Sequence, residues 1–271
     1  MLQSVVEDKT AEWVTWWVEQ RKQKLANQLN QTMSVNPFLL PILFKLHSLQ
    51  NLRELADLII AAHLMTGHAT GFGKLIDEKI LPNVFGAQKL DKAYRKRTKF
   101  RHSCFDEIDH VITRRNGSEE LLSLKAGRWT IQLTMAVQLN KAFEEIFEKH
   151  GDTVNAITVG VFYGSKRDLT DKYDILRGIN RGANHNVVDL TNKVFVESGR
   201  NFWAWLNDGE SQTQDWVLNG ILTSLRVSNI SSESKVLLDA FRNGVEMKYD
   251  SLDDRDSNEM NWHALLKQIN G

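Results

Sequence analysis

Asp109 and Lys125 are the side chains whose types and spacing could do chemistry. Asp109 sits in the apolar run "EIDHVI", and Lys125 follows sixteen residues later in "ELLSLKAG", with Asn116-Gly117 between them. A buried carboxylate without a partner is costly. An acid on an apolar strand therefore needs a lysine, a metal ion, or both. With the lysine alone, the two form a structural cross-strand pair. With a divalent cation they form a phosphodiester site. Hard cations such as Mg²⁺ take one or two carboxylates together with phosphate oxygens and water. Such an ion lowers the pKa of a bound water and offsets charge developing on the phosphate. A nearby lysine would orient that water and contact the same phosphate as a point charge.

The elements that must position the pair are two strands and a turn. Strand side chains alternate between faces. Over 105–113 and 121–127 the odd positions include Glu107, Asp109, Ser123 and Lys125, and the even ones include Ile108, Ile112, Leu122 and Leu124. The even face reads as core. A two-residue Asn116-Gly117 turn would pair 109 with 124 and separate acid from lysine. A three-residue loop, Asn116-Gly117-Ser118 with Gly117 at positive φ, pairs 109 with 125 and 111 with 123. The spacing thus predicts an odd-length loop or a bulge. The (D/E)-x-K pattern reads Ser123-Leu124-Lys125 here. Serine is a weak ligand, so a second carboxylate must come from elsewhere. Glu107, sharing the face of Asp109, and Glu78, on a helix, are the candidates.

Around the hairpin, apolar periodicity predicts a helix over 5–33, carrying Trp13, Trp16 and Trp17, and another starting at Ser48. Three glycines in "TGHATGFG" are expected to precede a helix of about ten residues ending at Pro82 and Gly86. Residues 130–150 read as a helix with Ile131, Met135, Leu139, Phe143, Ile146 and Phe147 inward. "AITVGVFYG" reads as a buried central strand, with "NVVDL" and "KVFVES" as shorter ones. Helices follow from residue 199 to the end. The order implies an α/β or α+β fold, a mixed sheet in mid-chain with helices from both ends around it.

Net charge is zero, so a uniformly basic nucleic-acid binder is excluded, but a local basic surface is not. "KLDKAYRKRTKFRH" holds seven Lys or Arg against one Asp. Its Lys92, Arg95, Lys96, Arg97, Lys99 and Arg101 suit a phosphate-contacting arm, or else a solvated loop. Arg128, beside Trp129, follows the second strand at a helix start and could approach a nucleic-acid backbone, or else cap and pack. "RGINRGANHN" offers Arg177, Arg181, Asn184 and His185, types that read guanine and adenine edges; a glycine-rich surface turn is the alternative. The histidines and Cys104 lack zinc spacing, and "GHATGFG" is not a phosphate loop. One cysteine, no evident signal peptide and no apolar span long enough for a bilayer suggest a soluble cytoplasmic protein without a membrane partner.

Taken together, "HLMTGHATGFGKLIDEKILP", "CFDEIDHVI", "ELLSLKAGRWTIQLTMAVQLNKAF" and "VGVFYG" followed by "LTDKYDILRGINRGANHNV" resemble the EcoO-type restriction endonucleases of the PD-(D/E)xK nuclease superfamily. The likeness runs along most of the chain and is densest from His63 to Asp189. It implies a type II enzyme that cuts double-stranded DNA with Mg²⁺ as a homodimer, beside a cognate methyltransferase. The implied site is the interrupted palindrome purine-G-G-N-C-C-pyrimidine, cut after the first G to leave a three-base 5′ extension. Asp109 falls on the family's metal-binding aspartate and Lys125 on its lysine; the Leu124 carbonyl would be a further ligand. Ser123 departs from the consensus and leaves the second acid open. The implied architecture is a restriction-endonuclease-like core over 66–198. A helical dimerisation region over 1–65 and C-terminal helices over 199–271 would flank it. A repair or junction nuclease, and a non-catalytic DNA-binding module, are the alternative functions.

Overall fold

The aliphatic runs between residues 110 and 198 assemble into one sheet. In the computed structural model, which describes residues 1–28, 36, 38–127, 131–227, 230–249, 253–254 and 259–270, five strands lie in the order β1 (Gln88–Lys89), β2 (His110–Thr113), β3 (Glu119–Lys125), β4 (Ile157–Val161) and β5 (Val194–Ser198). The first three are antiparallel. β4 then runs parallel to β3, and β5 parallel to β4. A parallel neighbour needs a crossover. Between β3 and β4 it includes helix α6 (Leu133–His150). The fold is therefore mixed α/β, a five-stranded mixed sheet flanked by helices.

Both faces of the sheet are covered, and all five residues of "ITVGV" are buried, Thr158 among them. On one face Val111, Leu121, Ile157, Val159 and Val194 join a core with Ala136, Leu139, Phe143 and Ile146 of α6. On the other, Gly160 leaves room for Phe202 of α8 (Arg200–Leu206) and for Leu122; a Cβ there would meet the Phe202 ring and a Leu122 methyl at under 3 Å. The expectation of a core on the even face alone is corrected: the odd face is buried as well.

Two compact units divide the chain, one of Met1–Val14 with Gly73–Ser224, the other of Thr15–Phe72 with Leu225–Gly271. The first holds the sheet. The second has its own small core of Leu40, Leu52, Leu55, Ala56 and Val245, with Phe44 edge-on to Trp262 at 5.3 Å.

Several local readings change. The glycines of "TGHATGFG" lie inside α3 (Leu52–Leu75) and not ahead of a helix. At Gly71 the Arg21 guanidinium fills the space a Cβ would take, and the Gly71 carbonyl accepts the Trp17 indole N–H at 3.1 Å. The helix then widens into a π turn, Ile76–Ile80, and continues as α4 (Leu81–Phe85), so Pro82 begins a turn, while Gly86 ends it at φ 72°. Residues Ser103–Glu107 form a 3₁₀ helix and not the start of a strand. Met135 is exposed and Ala136 takes the inward position, because α6 begins at Leu133 with Ile131 before it. "NVVDL" is irregular; only β5 forms. Among the described residues no helix is long and apolar enough to cross a membrane.

Candidate functional site

The β2–β3 loop is odd in length, as the spacing predicts, but it is centred one residue earlier. Arg114 N–H donates to Ser118 O at 2.8 Å and Gly117 N–H to Arg114 O at 2.9 Å, so the loop is Arg115-Asn116-Gly117, with Gly117 at φ 81°. His110 therefore pairs with Leu122 and Val111 with Leu121. Continuing this register places Asp109 opposite Ser123, not opposite Lys125. The strand ends are pinned by side chains outside the turn. Arg114 makes a bidentate pair with Glu120, at 2.9 and 3.0 Å, and donates to Trp205 O at 2.6 Å. A shift of two residues keeps parity, so acid and lysine still share a face.

At Asp109 the regular ladder gives way. Its N–H donates to Leu122 O at 2.8 Å, its carbonyl accepts from Leu90 N–H at 2.8 Å, and its Oδ2 accepts the Leu124 N–H at 2.7 Å. The side chain thus takes a position that a backbone carbonyl would hold and is fixed one residue before Lys125. Burial pushes the Asp109 carboxyl above the usual range. The Lys125 ammonium and the Leu124 N–H hold it down, Asp77 pushes it up, and Lys89 opposes that.

Asp77 is the acid that sequence reasoning missed. It lies on the π turn beside Glu78. An extra residue in a turn rotates the helix phase, and here Asp77 faces the sheet while Glu78 is exposed. Asp77 is ion-paired with Lys89, and its carbonyl lies 2.9 Å from His110 Nε2. A carbonyl only accepts, so Nε2 carries the proton. Burial first, then Lys89, pushes the His110 pKa down to about 4 against the pull of Asp77. The imidazole is neutral, and its Nδ1 is buried with no hydrogen-bond partner. Asp77 Oδ1 is likewise buried and unbonded, 3.5 Å from His110 Nε2. The available signal was a doubled acid, Asp77-Glu78, one helical step apart; only tertiary packing chooses between them.

The other expected residues separate. Glu107 is on the 3₁₀ helix and does not share a strand face with Asp109, because the chain turns before β2 begins. Ser123 is fully buried with its Oγ unpartnered. Leu124 and Lys125 are half-buried at the end of β3. Could these residues hold a hard cation? No cluster of three or more His, Cys, Asp or Glu side chains forms among the described residues. Asp77 and Asp109 are close enough for the charge of one to act on the other, Lys89 is ion-paired with Asp77, Lys125 acts electrostatically on Asp109, and one Asp77 oxygen is orphaned. That donor set fits an ion of the Mg²⁺ type, which keeps several waters and takes only one or two carboxylates.

In the basic segment, helix α5 (Lys92–Lys96) is capped by Asp91, whose side chain accepts from Tyr94 N–H at 2.7 Å. Lys92, Lys96, Arg97 and Arg101 are exposed. Arg95 is ion-paired with Asp106 and half-buried, and Lys99 pairs with Glu119 at 2.6 Å. Arg177 is bound to carbonyls: its Nε donates to Val194 O at 3.0 Å and its Nη2 to Thr191 O at 3.3 Å. Buried Asn140 clamps the same loop through Leu176 O, Val188 O and Val188 N–H. Arg181 pairs with Asp174; Asn184 is exposed and bonds Asn186 N–H, and the His185 N–H is held by Asn180. Arg128 lies outside the described residues. Comparison of the sequence with family models and with curated proteins finds no match.

Proposed function

We propose that this chain is a divalent-metal-dependent endonuclease of double-stranded DNA, a type II restriction enzyme with a restriction-endonuclease-like core. The observation that carries the reading is the convergence at one end of the sheet of Asp109, Lys125 and Asp77. An acid-acid-lysine set suits phosphodiester hydrolysis, although Ser123 stands where the sequence pattern would have an acid. The resemblance of the sequence to EcoO-type enzymes supports the choice of DNA, and of a purine-G-G-N-C-C-pyrimidine site, over other phosphodiesters.

In this reading Asp109 and Asp77 would hold Mg²⁺, with the Leu124 carbonyl as a further oxygen. When bound, the ion supplies a water of lowered pKa and a positive charge at the phosphate. The Leu124 N–H fixes the Asp109 carboxylate, and His110 Nε2–H fixes the backbone of Asp77. Lys125 donates to a phosphate oxygen and orients the attacking water. Water oxygen bonds to phosphorus in line with the breaking bond to the 3′ oxygen, leaving a 5′-phosphate and a 3′-hydroxyl. A palindromic site calls for a two-fold homodimer. Exposed Lys92, Lys96, Arg97 and Arg101 suit phosphate binding, and exposed Arg181 and Asn184 suit base edges. A single, buried Cys104 suits a reducing cytoplasm.

The test is digestion of a plasmid of known sequence with Mg²⁺, with end sequencing, beside the Asp109→Ala variant. Discrete fragments from the native chain and none from the variant, with duplex binding retained, are expected. Normal cutting by Asp109→Ala would sink the assignment. Preference for branched DNA would point to a repair or junction nuclease. Duplex retention without cleavage in Mg²⁺ or Mn²⁺ would point to a non-catalytic DNA-binding module, the reading that Ser123 favours.

A further inference from the structure

We propose that Lys89 is an internal counter-cation: it neutralises Asp77 while no divalent ion is bound and releases that carboxylate when one arrives. The inference rests on the nuclease reading. Hydrolysis there uses one lysine, Lys125. A second is placed on the other side of the acids by a different strand, since Lys89 on β1 pairs with His110 on β2. Its ammonium is ion-paired with Asp77 Oδ2, and its charge also acts on Asp109 and His110.

The charges make the second lysine intelligible. The formal charges of Asp77, Asp109, Lys89 and Lys125 sum to zero. A divalent ion added to that set leaves two excess positive charges, and a bound phosphate removes only one. Withdrawal of the Lys89 head brings the set close to balance. The lysine can withdraw because its side chain is 31% exposed on a flexible stem. Its backbone cannot follow, because the next residue is tied by the Leu90 N–H to Asp109 O at 2.8 Å. Nor does Asp77 leave with it, since the His110 ring holds the Asp77 carbonyl. What remains is a fixed carboxylate with one oxygen already unpartnered. A lysine serving only as a structural brace would compete with nothing at this position.

Mn²⁺ binding to the whole protein without DNA, followed by the electron paramagnetic resonance of the free ion, tests this. Removing a like charge at this range tightens Mn²⁺ binding roughly tenfold in Lys89→Met. Lys89→Arg, which keeps the charge, stays near the native affinity. In an Asp77→Asn background Lys89→Met has little further effect, because the two act through one ion pair. Circular dichroism verifies folding, and Lys89→Gln replaces Lys89→Met if the latter unfolds. Native-like affinity in the folded neutral variant overturns the counter-cation while leaving the nuclease reading intact. Absence of Mn²⁺ binding by the native chain and by the variant overturns both.

Discussion

Asp109 Oδ2 accepts the Leu124 backbone N–H at 2.7 Å, which ties the acid of one strand to the residue preceding the lysine of the next. The bond survives replacement of the carboxylate by an amide, whose oxygen accepts as well; the charge does not. Since burial already pushes the Asp109 carboxyl up, Asp109→Asn relieves a buried charge. Its metal-free unfolding temperature is expected to equal or exceed that of the native chain, while DNA cleavage falls by about 10³-fold or more, the scale of losing a group that acts in the transition state. A large drop in thermal stability together with retained cleavage would mean that the carboxylate is structural.

Ser123 gives a complementary prediction. Its hydroxyl is buried without a partner, and an unsatisfied buried polar group costs about 1–3 kcal/mol. Ser123→Ala should therefore raise the midpoint of denaturant unfolding. Ser123→Glu, which supplies the consensus acid, puts a second carboxylate opposite Asp109 in a fully buried place. That variant should be markedly less stable without metal and regain stability on adding Mn²⁺. Ser123→Glu as stable as the native chain in chelator would contradict the burial and register described.

The basic segment divides into two classes by its ion pairs. Lys96→Glu and Arg97→Glu, at exposed positions, should weaken duplex binding across all sequences. Each should also reduce the slope of log affinity against log salt by about one for every phosphate left unneutralised. Arg95→Ala should instead lower thermal stability, because its largely buried side chain loses packing, while its ion partner Asp106 is exposed. Filter-binding titrations over a salt series separate the classes; an Arg95 effect confined to the salt slope would reverse the assignment.

At the far end of α6, the His150 ring lies tilted against those of His102 and Phe105, with centroids 5.1 and 5.0 Å away. Burial first, then His102 and Lys149, lowers its pKa, with Glu145 opposing. A histidine whose folded pKa lies below its unfolded value takes up more protons when unfolded. Stability is then fully present above the ordinary histidine pKa of about 6.5 and declines as pH falls below it. His150→Gln should remove its own part of that decline in urea unfolding measured over a pH series from neutral into the mildly acidic range, leaving the part due to His110, whose pKa is pushed down to about 4; an unchanged profile would place the acid sensitivity elsewhere.

Alternation and turn chemistry were legible without coordinates. The charged residues embedded in apolar strands marked Asp109 and Lys125, the placing of both on one face marked an odd loop with Gly117 at positive φ, and a largely apolar run marked β4 as a buried central strand. These are local properties, set by the two-residue strand period and by the freedom of glycine. The pairing itself was not local. Arg114, Glu120 and Trp205 set it, and the last of these is 91 residues from the first.

The missing acid shows the same division. Sequence alone determined that position 123 is serine, so that a second carboxylate at a metal site would have to come from elsewhere. Tertiary structure alone decided that Asp77, and not Glu78 or Glu107, is the acid beside Asp109. A π turn rotates one of two adjacent acids toward the sheet, and a buried neutral imidazole holds it there. Adjacent residues on a helix differ by about 100° in direction, and no local pattern says which of them meets a strand.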